Sequence, residues 1–180
     1  MKLIIGLGNP GKEYEKTRHN AGFVFLNALQ EQYELPEFSY SKKFNSEINE
    51  GYINATKYIL AKPQTFMNRS GESVRALIDF YKIKPEDIIV IADDLDIEIG
   101  KYKISKGTRA AGHNGIQNII DILGTQNFTR IRIGIESAGG RCERGQIPGD
   151  KFVLQRFTDE EIALFQNTIQ EILKKLQQQI

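Results

Sequence analysis

A single cysteine, Cys142, stands in the whole chain, which excludes an intramolecular disulfide and any CxxC metal or redox pair and points to a reducing compartment. Charge of one sign is also lacking. The formal net charge is +1 at pH 7, so the field of the whole molecule draws in no polyanion, and any nucleic-acid contact must come from a local basic patch. No apolar stretch approaches the roughly 20 residues needed to span a bilayer. The apolar N-terminal run is cut off by Asn9-Pro10-Gly11, too early for a signal peptide. A soluble cytoplasmic protein without a membrane partner is expected. Repeats, low-complexity tracts and linker-like clusters are absent too, and 180 residues with 40% hydrophobic content suffice for the core of one domain, residues 1–180.

Short apolar runs rich in β-branched residues predict strands at residues 2–7, 88–92 and 130–135, with weaker alternating runs at 47–53, 58–61 and 101–105. Helical periodicity alternates with them at 21–33, 71–81 and 115–123. A final helix opens on Thr158-Asp159-Glu160-Glu161, a capping box, and carries Ile162, Phe165, Ile169, Ile172 and Leu176 on one face. This order predicts an α/β sandwich. Residues 137–150 are glycine-rich and aperiodic, the pattern of a surface loop or lid. Residues 36–45 carry no functional signal.

Gly6-Leu7-Gly8-Asn9-Pro10-Gly11 formally matches GxGxxG after a strand. A dinucleotide site requires a helix to open within the motif, and the next periodic segment begins only near Ala21. Asn-Pro-Gly suits a type II turn instead, and that turn can aim Asn9 into the crevice at the carboxyl edge of the sheet. Both histidines precede an asparagine and a helix, as His19-Asn20-Ala21 and His113-Asn114-Gly115. The asparagines suit helix N-caps, Asn114 with Gln117 as box partner, and a nearby helix N-terminus is expected to lower histidine proton affinity.

The strand at 88–92 ends in Asp93-Asp94-Leu95-Asp96. These carboxylates permit a magnesium site, but successive strand side chains point to opposite faces, so one carboxylate orienting a histidine is the better reading. Thr65-Phe66-Met67-Asn68-Arg69-Ser70-Gly71 precedes another helix, with Asn68 or Ser70 as cap. Lys101, Lys103, Lys106 and Arg109 form a basic stretch without an intervening acid, leading into Gly112-His113-Asn114-Gly115, and Arg130 and Arg132 follow on a strand. Phosphate contact is the chemistry such a stretch serves. The nucleophile-elbow GxSxG is absent, and Cys142 lies far in sequence from both histidines.

Taken together, the Gly6–Gly11 turn with Tyr14, Thr17-Arg18-His19-Asn20-Ala21-Gly22, Thr65-Phe66-Met67-Asn68, the carboxylates at 93–96 and Gly112-His113-Asn114-Gly115 resemble the bacterial peptidyl-tRNA hydrolase family. The similarity runs on through Arg132-Ile133-Gly134-Ile135 and Phe152-Val153-Leu154. It implies an α/β fold, a single-domain αβα sandwich with a mixed, mostly parallel twisted sheet. It also implies no cofactor or metal, peptidyl-tRNA as partner, and a monomer. By that resemblance His19 activates water, Asp93 holds and charge-balances it, and Asn9 helps distinguish blocked from free aminoacyl groups. Asn68 and Asn114 position substrate with Gly112 and His113; Tyr14, Phe66 and Met67 line the cleft; Lys103, Lys106 and Arg132 contact phosphate. An aminoacyl ester is activated enough for one general base and amide donors to suffice. Family members usually carry a Gly- and Ser-rich run where this chain has Thr108-Arg109-Ala110-Ala111, which restricts the loop and offers Arg109 as a further phosphate contact. A non-catalytic RNA-binding protein on the same fold and a metal-dependent phosphoesterase built on residues 93–96 are the rival readings.

Overall fold

The computed structural model describes residues 1–137, 139 and 144–179. Its strands are β1 (Lys2–Gly6), β2 (Ser39–Ser41), β3 (Ser46–Ile53), β4 (Thr56–Pro63), β5 (Ile88–Glu98), β6 (Tyr102–Lys106) and β7 (Thr129–Glu136). They form one sheet in the order β2-β3-β4-β1-β5-β7-β6. The neighbours β4, β1, β5 and β7 run parallel through the centre. Antiparallel pairs finish both edges, β3 on β4 with β2 on β3, and β6 on β7. Strands covered on both faces read as unbroken apolar runs, and in β1 and just beyond it Leu3, Ile4, Ile5 and Leu7 are all fully buried.

The helices are α1 (Ala21–Gln32), α2 (Ser70–Tyr81), α3 (Asn114–Leu123), α4 (Gly149–Phe152) and α5 (Asp159–Gln179). Strand alternation sends Ile4, Ile91, Ile131 and Ile133 to one face, against Phe25, Leu26 and Leu29 of α1 and Ile169, Ile172 and Leu173 of α5. Leu3, Ile5 and Val90 go to the other face, against Val74 and Leu77 of α2 and Ile116 and Ile119 of α3. Two cores thus enclose the sheet as an αβα sandwich. Burying each such leucine or isoleucine contributes about 1.5–3 kcal/mol.

Three local features differ from the sequence reading. β5 runs on through the acidic segment to Glu98, because Asp93 and Asp94 still pair with Ile133 and Gly134 of β7 before the register shifts. β2 arises within residues 36–45, held by antiparallel pairing to β3 from Ser39–Ile48 to Ser41–Ser46. Neither Asn114 nor Asn20 caps its helix: His113 caps α3, and Asn20 makes no capping bond to α1. Likewise Ser70 donates its hydroxyl to the Met67 carbonyl at 2.9 Å rather than capping α2. The capping box of α5 forms as expected, with Thr158 N–H donating to Glu161 Oε2 at 2.8 Å and Glu161 N–H to Thr158 Oγ1 at 3.3 Å.

Candidate active site

The carboxyl ends of β1 and β5 and the start of α1 converge because two glycines let backbone meet backbone. A Cβ on Gly22 would lie 2.3 Å from Leu7 N and 2.5 Å from Ile91 O, and one on Gly6 would lie 2.3 Å from Gly22 O. The first turn of α1 therefore presses directly on the sheet. The 3-10 turn Arg18–Asn20 just before it carries His19 to the end of β5.

There, His19 Nδ1 lies 2.9 and 3.0 Å from the two carboxylate oxygens of Asp93. His113 Nε2 reaches the same Asp93 Oδ1 at 3.1 Å, and the two imidazole rings sit 5.1 Å apart. The amides of Gly115 and Ile116 donate to His113 Nδ1 at 3.1 and 3.3 Å. This fixes the His113 tautomer, with its proton on Nε2 pointing at Asp93. Asp93 is 3% exposed. Burial pushes its carboxyl up, but the two histidines outweigh burial and hold it well below the usual carboxylate range. For His19, burial pulls the imidazole down, yet the charge of Asp93 and the hydrogen bond to it prevail and raise it above its ordinary value of 6.5. The lowering expected from the helix N-terminus is thus overridden by a contact carboxylate. With Nδ1 engaged, Nε2 is the nitrogen left to the cleft.

A cleft of about 460 Å³ is lined by His19, Asp93, Gly112, His113 and Asn114, together with Arg144, Gly149, Asp150 and Val153. Asn9 lines a neighbouring cavity of about 370 Å³ with Asn20, Phe23 and Lys62. Asn9 is fully braced: its backbone N–H donates to Asn20 Oδ1 at 2.8 Å and its carbonyl accepts from Asn20 Nδ2 at 3.0 Å. Its side-chain oxygen accepts the Met67 amide at 2.8 Å, so the Asn9 NH2 group is the donor left over. Met67 is buried, and its sulfur would meet a Cβ on Gly115 at 2.5 Å, with His113 Cε1 at 3.2 Å. Tyr14 and Phe66 meet edge to face, ring centres 6.5 Å apart. Asn68 and Asn114 are exposed.

The expected phosphate contacts divide. Lys103 pairs across the sheet with Arg132, whose guanidinium donates to Asp94 Oδ2 at 3.0 Å. Strand alternation places Lys106 on the opposite face from Lys103. Arg130 faces inward instead. It is 1% exposed and donates to the Arg109 carbonyl at 2.8 Å and to Thr108 Oγ1. Of the residues that replace a Gly- and Ser-rich run, Thr108 anchors the loop through its hydroxyl and Arg109 through its carbonyl, while Ala111 sits at φ 51°, which costs about 1–2 kcal/mol beyond glycine.

Asp93 and Asp94 point apart, one to the histidines and one to Arg132, so residues 93–96 do not assemble as a magnesium site. Among the described residues, one group gathers as metal ligands would: His19, Asp93 and His113, with ligand atoms within 4.8 Å of one another. A metal ion there would have to displace the protons that both rings donate to Asp93. The loop at 137–150 falls partly outside the described residues, and Cys142 lies outside them.

The family model for peptidyl-tRNA hydrolase matches residues 3–180. The chain belongs to the peptidyl-tRNA hydrolase family. Among its relatives, peptidyl-tRNA hydrolase of Bacillus cereus (strain Q1) is 47% identical over 95% of this chain and 88% of its own. That of Mycoplasma mycoides subsp. mycoides SC is 48% identical over 93% and 87%. A solved point mutant of peptidyl-tRNA hydrolase from Acinetobacter baumannii superposes with a TM-score of 0.90 at 38% identity, covering 98% of this chain and 87% of that one. Several contacts that build this site escape sequence reasoning. Asn20 braces Asn9, Arg130 holds the loop before His113, and the carbonyl of Val153 accepts the His19 amide at 2.8 Å. The chain carries no local pattern for such partners, since each is defined by a residue distant in sequence.

Proposed function

We propose that this chain hydrolyses the ester joining an N-blocked peptide to tRNA, returning the tRNA to translation, as one domain working as a monomer in the cytoplasm. The observation that carries the reading is the His19–Asp93 contact, with Nδ1 held by a buried carboxylate and Nε2 left to the cleft. Nε2 takes a proton from water as the oxygen adds to the ester carbonyl carbon. Asp93 balances the imidazolium that forms. The tetrahedral oxyanion collapses, the bond to the ribose oxygen breaks, and Nε2 returns the proton to that oxygen. The released products are a peptide acid and tRNA with a free hydroxyl.

The free Asn9 NH2 and the exposed amides of Asn68 and Asn114 are the donors for the ester carbonyl oxygen and for the acyl oxygen on the blocked amine. Gly112 and His113 shape the cleft at His19, Tyr14, Phe66 and Met67 bound the apolar side, and Lys103 and Arg132 meet phosphates, with Lys106, on the other face of β6, contributing less. No protein nucleophile enters this route. The test is release of the acylated residue from N-acetyl-aminoacyl-tRNA, with and without EDTA. Cleavage that resists the chelator and is lost in His19→Ala supports the reading. Chelator-sensitive cleavage moves the chemistry to a metal on the histidines, and binding without cleavage moves it to an RNA-binding protein.

A further inference from the structure

The turn that carries His19 is held by the C-terminal part of the chain. Arg18 and His19 donate their backbone N–H groups to the carbonyls of Gln155 at 3.0 Å and Val153 at 2.8 Å, and Thr17 bridges Arg156 beside them. The Arg18 side chain is turned inward, 4% exposed. It donates to the Ile135 carbonyl at 3.2 Å and to Glu161 Oε2 at 2.6 Å. Its guanidinium lies 4.3 Å over the ring of Phe152 and 4.9 Å over that of Phe157. The same Glu161 oxygen accepts the Thr158 amide in the capping box of α5. One carboxylate therefore ties the first turn of α5 to the residue adjoining His19.

A buried ion pair adds little net stability over an apolar replacement, yet its directional bonds fix geometry. On these contacts we propose that Arg18 is a positioning residue for His19, with Glu161 as its partner: the pair clamps the start of α5 on the turn, keeping His19 Nδ1 on Asp93. The proposal rests on His19 being the base. The groups around His19 are Asp93 from β5 and His113 from the start of α3, with Asp94, Asp96, Arg144 and Asp150 along the cleft. Facing Arg18 from α5 is Glu161, whose carboxyl is raised by burial but brought below its usual range by Arg18 and Thr158.

The test uses the full chain and Glu161→Gln, because glutamine keeps the capping box and so isolates the ion pair. Steady-state hydrolysis of N-acetyl-aminoacyl-tRNA is measured across pH, and the His19 imidazole is titrated by NMR in the same proteins. The expected result is a kcat lowered roughly ten-fold with KM nearly unchanged, and a His19 titration moved to lower pH as its grip on Asp93 loosens. Arg18→Lys, which keeps the charge but loses the fork, should fall between Glu161→Gln and wild type. A Glu161→Gln protein with a lower melting temperature but unchanged kcat and titration shows a purely structural pair and overturns the proposal. An inactive wild type would sink the hydrolase reading, while the NMR titration would still judge the clamp.

Discussion

At the scale of single residues, the informative contrast is between two groups on one carboxylate. His113 is locked by two backbone donors on its far side and caps α3, whereas His19 presents its second nitrogen to the cleft. His19→Ala is expected to lower kcat by about 10²–10⁴ with little change in KM; near-normal turnover would remove it as the base. Because a base works deprotonated and His19 is raised above 6.5, the acidic limb of kcat/KM should have its midpoint above that value. Asp93→Asn removes the raising charge and leaves burial, so the remaining activity should titrate at lower pH than wild type. A limb that stays in place in Asp93→Asn would show that another group sets it.

Among elements, close packing at the helix starts determines where these residues stand. Gly22→Ala places a methyl against main-chain atoms of Leu7, just beyond β1, and of Ile91 in β5 that cannot swing aside, so it should lower both melting temperature and turnover. Gly149→Ala meets two flexible side-chain ends, Leu95 at 3.0 Å and Arg144 at 3.9 Å, and should be tolerated far better. Equal losses in the two would contradict the packing argument. On β6, strand parity puts Lys103 beside Arg132 and Lys106 on the other face. Lys103→Ala should therefore flatten the dependence of tRNA affinity on salt, by up to about one unit of slope for each phosphate left without its lysine, and do so more than Lys106→Ala.

These elements also show what the sequence makes legible. Runs such as Ile88-Ile89-Val90-Ile91 and the apolar face of α5 announce themselves, because burial on a sheet or helix imposes a period. The site histidines, Asp93 and Asn9 stand out because they follow strands or precede helices. Cap identity is not legible at Asn114, since a histidine in the preceding position competes for the same two amides. Arg130 and Arg18 have the local pattern of surface cations; burial becomes acceptable only through the Thr108–Arg109 loop and Glu161, and no local period encodes those partners.

Over the whole molecule, the His19–Asp93 pair is one of the buried interactions through which stability depends on pH. Asp93 titrates lower folded than unfolded, so its contribution is present above about pH 4 and is lost as pH falls toward its depressed value. His19 titrates higher folded than unfolded, so its contribution is complete below about pH 6.5 and is lost as pH rises through its raised value. These are two views of one coupled interaction and do not add. The charged pair that stabilises the fold is the protonated state in which His19 cannot act as a base. Activity should therefore peak at higher pH than melting temperature does. The melting-temperature advantage of wild type over His19→Ala should shrink from pH 5.5 to pH 8.5. An advantage that is constant over this range would mean that the His19–Asp93 charge pair contributes nothing to folding, leaving only its role in the reaction.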